Sequence, residues 1–517
     1  MLKRIPFHTF AFAIFPILAL LAFNIAEVAP RVALRSVVIS LVAAVVILCV
    51  IALITRNWQK AGLATTLVLI LFYSYGQVYE FLQAHQIFGI ILGRHRFLTV
   101  LFAIILIAGM WAIYFRLKDT SLSTQIFNIV GVVLLIYPLV KIGSYSYHTA
   151  SNAQHLVNSP YNIDTSALKK PKNLPDVYLI VLDGYTRADS FSNDLAFDNS
   201  AFENELKSMG FYIASCSRSN YNTTRPSLTA TLNMNYVPAL IDEIGRQGLT
   251  NSDDVWLLLK QSKVRYLLES MGYKTVAFDS GFEWSRFRDA DIYLQYTGVP
   301  YEMQTFQPFE AMLIRSSALL IWSDSIYRSL PAYTKTIFNA TSFGLEDHIN
   351  RELYILDQLP RIPFSPGPKF IFVHIMIPHP PFIFLPNGDL QVNTSYYRFT
   401  DLWATIDETM KAGYLNEAQF LNNRIPEILR AIITKSNVPP IIVLMGDHGP
   451  TFIDRYLNLN AFLLPDAGKQ ALYSSITPVN SFRVIFDTVY GTNFGLLPDV
   501  SYDGDTPVPE TSPECIQ

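Results

Sequence analysis

Val177-Tyr-Leu-Ile-Val-Leu-Asp183-Gly184 is a six-residue apolar run closed by an acid and a glycine. An unbroken run of this kind reads as a strand buried on both faces, as in a parallel sheet between helix layers. Asp183 falls where that strand leaves the sheet, and Gly184 permits a sharp turn. A second run, Ile441-Ile-Val-Leu-Met-Gly446, closes on Asp447-His448-Gly449. Lys274–Phe278 and Phe370–Ile377 read the same way. Helical windows at Ser200–Met209, Asp253–Met271, Leu345–Leu359 and Glu417–Lys435 lie between the strands. Such alternation predicts an α/β domain with a mostly parallel sheet covered by helices on both faces.

Upstream the texture changes. The 517-residue chain is 50% hydrophobic and only 16% charged, and the apolar excess sits near the N-terminus. Uncharged stretches at Phe7–Ala26, Val37–Ile54, Ala61–Val78, Phe97–Phe115 and Thr120–Val140 each approach the ~17–25 residues that cross a bilayer as a helix. The first follows Lys3-Arg4 and has the alternative of a secretory leader, but no small-residue cleavage pattern follows, so a retained helix is expected. Five spans starting inside, or a leader plus four, both put the C-terminal part outside the inner (plasma) membrane, on the periplasmic side. Lys3, Arg4, Arg56, Lys60, Arg116 and Lys118 would then face the cytoplasm, against Arg31, Arg35, Arg94 and Arg96 in outer loops, a modest positive-inside bias.

The expected organisation is a transmembrane helical domain over 1–144, a polar linker over 145–175, the α/β domain over 176–502 and a tail over 503–517. The aromatic stretch Phe282–Phe338 is irregular and reads as an insertion or lid. Cys49 lies in a span. Cys216 and Cys515 lie outside, where an oxidising compartment permits a bridge, although they are expected to stay unpaired. No CxxC or Cys/His zinc spacing is present. A net charge of -3 argues against nucleic acid as a partner.

Four segments carry chemistry. Asp183 reads either as a metal ligand or as a helix cap. Asp447-His448 offers an oxygen and a nitrogen ligand from one strand end, a mixture suited to Zn²⁺ or Mn²⁺, with Mg²⁺ or Ca²⁺ also accepted. Its alternative is a turn acid beside a bystander histidine. Asn222-Thr-Thr224-Arg-Pro-Ser227 reads as a helix opening, because Pro226 is tolerated only in a first turn. The free N–H groups there suit an anionic ester. Thr224 is then a nucleophile or merely a cap, Thr223 and Ser227 are rival hydroxyls, and Arg225 is an anion contact or a surface charge. His374-Ile-Met-Ile-Pro-His379-Pro-Pro381 brings two histidines to another strand end, as acid, anion contact or incidental turn residues.

Taken together, Val181-Leu-Asp-Gly184, Asn222–Ser227, His374–Pro380 and Met445-Gly-Asp-His-Gly449 resemble the alkaline-phosphatase/sulfatase superfamily over roughly Asp176–Tyr502. With spans in front, the architecture is similar to lipoteichoic acid synthases, phosphoethanolamine transferases and other membrane-anchored sulfatase-like enzymes. The resemblance implies one divalent metal held by Asp183, Thr224, Asp447 and His448, with Thr224 as nucleophile. It also implies a catalytic or substrate-contacting His379, with His374, Arg225 and Asn222 binding substrate. The chain departs from the sulfatase pattern at Thr224-Arg-Pro-Ser227-Leu228, which lacks the oxidisable cysteine and the closing arginine. That favours phosphate over sulfate esters. No histidine follows His448, so one metal is expected rather than two, and two outer cysteines cannot supply the several disulfides common among phosphoethanolamine transferases.

The expected reaction moves a phosphoryl-linked group from a lipid donor to an envelope glycan or lipid through a phospho-threonine. An ester hydrolase shares every motif. A non-catalytic binding protein would be expected to have lost a ligand, and a transporter would want more polar residues in its spans than Asn24, Gln77 and Asn128. Neither the donor and acceptor nor the oligomeric state is legible in the sequence.

Overall fold

The computed structural model describes residues 5–84, 93–158, 165, 168–246, 252–297, 308–321, 345–391, 408–510 and 515. The chain divides into two compact units, Met1–Tyr147 with Val299–Glu346, and His148–Gly298 with Asp347–Gln517.

The first unit is helical. Helices within Pro30–Thr55, Trp58–Leu82, His95–Arg116 and Thr120–His148 are long and apolar enough to cross a membrane. The first apolar stretch, expected over Phe7–Ala26, forms a shorter helix, His8–Phe23, which at 1.5 Å per residue measures about 24 Å. Its backbone leaves the helix at Asn24, whose side-chain amide turns back to donate to the Leu20 carbonyl (2.9 Å). The last helix runs on to Asn158, so 145–158, read as part of a linker, continues it.

Part of the stretch read as an insertion or lid belongs to this helical unit. The helix Pro308–Arg315 sinks Phe309 among Ile17, Leu21, Ile25, Val32 and Ala33. Arg35 makes two bonds to Glu310. The Ala318 N–H donates to the Phe72 carbonyl (2.7 Å). Gly76 permits the approach, since a methyl there would lie 2.0 Å from the Arg315 carbonyl oxygen. Residues 282–297 instead stay in the second unit, and 298–307 and 322–338 lie outside the described residues.

The second unit is built on a seven-stranded sheet: β1 Val177–Leu182, β2 Tyr212–Ile213, β3 Lys274–Phe278, β4 Ile292–Leu294, β5 Lys369–Ile375, β6 Ile441–Gly446 and β7 Asn460–Leu463. The order is β2-β7-β6-β1-β5-β3-β4. β6, β1, β5, β3 and β4 run parallel, while β7 and β2 pair antiparallel at one edge. Every β1 residue is fully buried, as its unbroken apolar run requires. Val177, Leu179 and Val181 join Phe370, Phe372, Ile441, Val443 and Met445 in one core with Leu228, Leu232, Phe482 and Ile485 of two covering helices. Tyr178, Ile180 and Leu182 point the other way and are equally buried, so both faces are covered.

Two elements differ from what their hydrophobicity suggested. β5 stops at Ile375 rather than Ile377, because the Met376 N–H donates to the Glu352 carboxylate (3.0 Å) and Pro378 has no N–H to give. The window Asp253–Met271 is not one helix but a 3₁₀ segment, Ser252–Leu259, and an α-helix, Lys263–Ser270. Ser262 interrupts them by capping the second helix at the Arg265 N–H (3.4 Å). Cys216 and Cys515 form a disulfide with 5.5 Å between their Cα atoms, against the expectation of free thiols. Sequence separation hid a spatial proximity that the C-terminal hairpin Ser501–Asp503/Thr506–Val508 creates.

The long helix Glu408–Lys435 carries Glu417 into the interior. One oxygen accepts the N–H groups of Ile383 and Phe384 (2.6 and 3.2 Å). Burial pushes this carboxyl well above its ordinary range. The folded state therefore keeps the proton that the unfolded chain releases above about pH 4.5. Stability should fall with rising pH over that window by up to about 1.4 kcal/mol per pH unit. Glu417→Gln should match the native chain near pH 4 and melt at higher temperature at pH 7. Thermal unfolding at both pH values checks this, and an equal or lower melting temperature at pH 7 counts against it.

Candidate active site

Parallel register brings three side chains to one face. Leu182 lies level with Gly446, and Val181 lies level with both Met445 and His374. Side chains alternate along a strand, so Asp183, Asp447 and His374 share the face of Val181. They emerge at the C-terminal ends of three adjacent strands, where open α/β sheets build their sites. One ligand atom from each of Asp183, His374 and Asp447 lies within 4.8 Å of the others, and all three residues are buried.

The turn after β1 is shaped for this approach. Gly184 adopts φ +76°, and its N–H donates to Asp447 Oδ1 (2.9 Å). A methyl on Gly446 would lie 2.0 Å from the Tyr185 carbonyl oxygen, so only glycine allows the two strand exits to close on each other. The Tyr414 hydroxyl, which donates to the Gly184 carbonyl (3.0 Å), braces the turn from the long helix.

Thr224 opens the helix Thr224–Asn233. Thr223 occupies the cap position in extended backbone, yet its side chain makes no capping bond. The Thr224 hydroxyl instead lies 3.2 Å from His448 Nε2. His448 Nδ1 donates to the Gly449 carbonyl (2.8 Å), so Nε2 is the ring nitrogen that faces the threonine. That nitrogen is also 3.4 Å from Asp447 Oδ2 and 4.0 Å from Asp183 Oδ1. Ser227, the rival hydroxyl, is engaged structurally by donating to the Asp447 carbonyl (2.7 Å). Thr223 is exposed.

His374 Nε2 lies 3.1 Å from Asp183 Oδ2. Burial alone would raise the Asp183 carboxyl. The charges of His379, His374 and His448 and the His374 hydrogen bond outweigh it, holding the group well below the usual carboxylate range. Burial would lower His374, but the bond to Asp183 and the Asp183, Asp447 and Glu352 charges raise it. His379 donates from Nδ1 to the Pro380 carbonyl (2.7 Å). It lines a pocket with His448, Arg455, Phe382, Met410 and Phe452. Arg225 packs its guanidinium over Trp256 and Trp284 (6.0 and 5.5 Å), and Trp284 in turn sits 6.0 Å from the His374 ring. Asn222 is half-buried in the turn before the helix. Among the described residues, its side chain makes no hydrogen bond to the cluster.

A divalent cation fits what the residues offer. Asp183 Oδ1 and Asp447 Oδ2 are buried and have no hydrogen-bond partner among the described residues. Two carboxylates this close repel by on the order of 3–4 kcal/mol at an effective dielectric constant of 20, and a cation would relieve that. The geometric cluster contains His374 where the sequence reading had His448 and Thr224, which sit immediately beside it. Two participants escape sequence reasoning. Arg455 Nη2 is 3.4 Å from His448 Nε2, and its only sequence signal is its place in the loop after Asp447-His448. Glu352, buried and pushed up to about 7 by burial despite nearby Arg351, holds the turn after His374 and gives no signal in sequence.

No protein-family model matches this sequence, and no curated protein does. Solved structures similar to it include the zinc-complexed C-terminal periplasmic domain of EcEptC from Escherichia coli, at 11% identity and TM-score 0.41, covering 66% of this chain and 95% of that one. The integral membrane lipooligosaccharide phosphoethanolamine transferase A of Neisseria meningitidis aligns at 10% identity and TM-score 0.36, over 92% of this chain and 94% of its own. The phosphonate monoester hydrolase of Agrobacterium radiobacter aligns at 14% identity and TM-score 0.35, over 60% and 73%.

Proposed function

We propose that this chain is a membrane-anchored, metal-dependent enzyme that transfers a phosphoryl-linked group from a lipid donor to an envelope lipid or glycan on the periplasmic side of the inner membrane, with Thr224 as nucleophile. The observation that carries this reading is the Thr224 hydroxyl, at a helix N-terminus and 3.2 Å from His448 Nε2, beside two buried carboxylates that share a face with His374.

Asp183 and Asp447 would hold the divalent ion, with His374 and the Thr224 oxygen as the neighbouring donors, and His448 Nε2 beside them would stay available to a proton. Bound there, the ion supplies positive charge that favours an ionised hydroxyl and offsets charge on phosphoryl oxygens. His448 Nε2 accepts the Thr224 proton as Oγ1 attacks phosphorus. The bond to the leaving oxygen breaks, and His379 gives that oxygen a proton. The positive N-terminal end of the helix starting at Thr224, with Arg225, binds the equatorial oxygens. An acceptor hydroxyl then gives its proton to His379 and attacks the phospho-threonine, the bond from phosphorus to Oγ1 breaks, and His448 returns the proton to Thr224. Transfer is favoured over hydrolysis by the helices that tie the chain to a bilayer, because tethering raises the effective concentration of lipid-borne partners.

Intact mass of the full-length chain, incubated briefly with mixed bacterial phospholipids and Zn²⁺ or Mn²⁺, tests the nucleophile. An adduct mapped to Thr224 and missing from Thr224→Ala is expected, and its mass names the group. Release of phosphate from soluble esters without any lipid-derived adduct would replace the transferase by a hydrolase.

Metal binding has its own readout. Zn²⁺ at about a hundredfold over its dissociation constant should stabilise the native chain by roughly 2.7 kcal/mol, and a chelator should reverse that. Asp183→Asn and Asp447→Asn should show no metal-dependent change in melting temperature. An unaltered response in both variants would remove these carboxylates from the metal site.

A further inference from the structure

We infer that Glu510, in the C-terminal tail, is a positioning residue that sets the distance between Thr224 and His448. The inference rests on the reading of that pair as reacting groups. Three loops carry the site: the exit from β1, the 214–223 segment that leads into the Thr224 helix, and the 447–458 loop that follows β6. Glu510 meets an arginine from each of the first two. Its Oε1 accepts from Arg218 Nη1 (3.2 Å), and its Oε2 lies 4.0 Å from Arg187 Nη1. Both arginines are almost fully buried, at 6% and 3% exposure, so their charges are poorly screened and their carboxylate partners matter more than at a surface.

The arginines extend the connection. Arg218 Nη1 also donates to Asp454 Oδ2 (3.2 Å), and Asp454 is bonded in sequence to Arg455, which reaches His448. Arg187 Nη1 donates to the Ser217 carbonyl (3.1 Å), tying the β1 exit to the segment that precedes Thr224. The hairpin before Glu510 adds backbone ties to the same places. The Tyr502 N–H donates to the Asn220 carbonyl (2.9 Å), the Ser501 hydroxyl to the Ser219 carbonyl (2.8 Å), and the Tyr456 hydroxyl to the Tyr502 carbonyl (3.2 Å). Beyond Glu510, Cys515 is bonded to Cys216, two residues before Arg218. Thr224 and His448 are thus carried by loops that the tail fastens to each other, and neither tail residue touches the reacting atoms.

Displacement of one reacting group by about 1 Å is enough to cost on the order of a hundredfold in rate, so a loosened tie should appear in turnover rather than in binding. The test compares the full-length native chain with Glu510→Gln and Cys515→Ser in detergent, by hydrogen–deuterium exchange and by hydrolysis of bis(4-nitrophenyl) phosphate. Both variants should exchange faster across 217–224 and 449–456 while 177–182 and 369–375 stay protected. The kcat should fall about tenfold or more with KM within twofold. Faster exchange confined to 501–510, with native turnover, overturns the inference. If the native chain does not turn over the probe, the phosphoryl-transfer reading is at fault, and the exchange pattern alone still decides whether Glu510 orders the two loops. Should Glu510→Gln lose protection throughout, Glu510→Asp, which keeps the charge and withdraws it from the two arginines by one methylene, decides in its stead.

Discussion

The parallel pairing of β6, β1 and β5 is the constraint on which the site depends. Asp183, His374 and Asp447 face one another only because Leu182 lies level with Gly446 and Val181 with His374. Slipping β5 by one residue would turn His374 to the other face of the sheet. Burial on both faces prevents that slip, since every side chain of β5 would exchange one packed environment for another of different shape. The apolar runs therefore do more than form a core. They hold three polar side chains in register at the place where apolar residues give out.

Charge then has to be managed at those ends. Two buried carboxylates repel, and the chain surrounds them with donors: the Gly184 N–H on Asp447, His374 on Asp183, and the N-terminus of the Thr224 helix nearby. The Ser227 bond to the Asp447 carbonyl fastens that helix to the strand end. It joins the segment carrying the hydroxyl to the segment carrying the acid, so the helix position follows from the sheet. Arg225, beside the threonine, is steered by two indole rings that lie against its guanidinium, a cation–π arrangement that fixes its direction.

Much of this arrangement is legible in the sequence, and the illegible parts have definite physical causes. The strand ends are readable because unbroken apolar runs and the acids that close them are local signals. That Thr224 begins a helix is readable because Pro226 tolerates little else. His374 is harder, since its closeness to Asp183 depends on strand register, which no single segment carries. Arg455 and Glu352 reach the site from a loop and from the middle of an amphipathic helix, where similar residues commonly face water. The Cys216–Cys515 pair and the Glu510 contacts require knowing where a tail returns after several hundred residues. The fate of 308–321 was opaque for a related reason. Phe309 looks like any aromatic in an irregular stretch, and only the small surface at Gly76 shows where the backbone docks.

The route of the chain between the strands has an evolutionary side. The three residues at the sheet's centre are specified by short strands and their register, whereas the connections between those strands bear no fixed length. Between β4 and β5 the chain leaves one compact unit, contributes Val299–Glu346 to the other, and returns. Insertions and deletions in that excursion leave the registers of β1, β5 and β6 unaltered. Descendants of this sequence are therefore free to remodel the excursion while inheriting the same strand ends, so change in the one need not wait on change in the other.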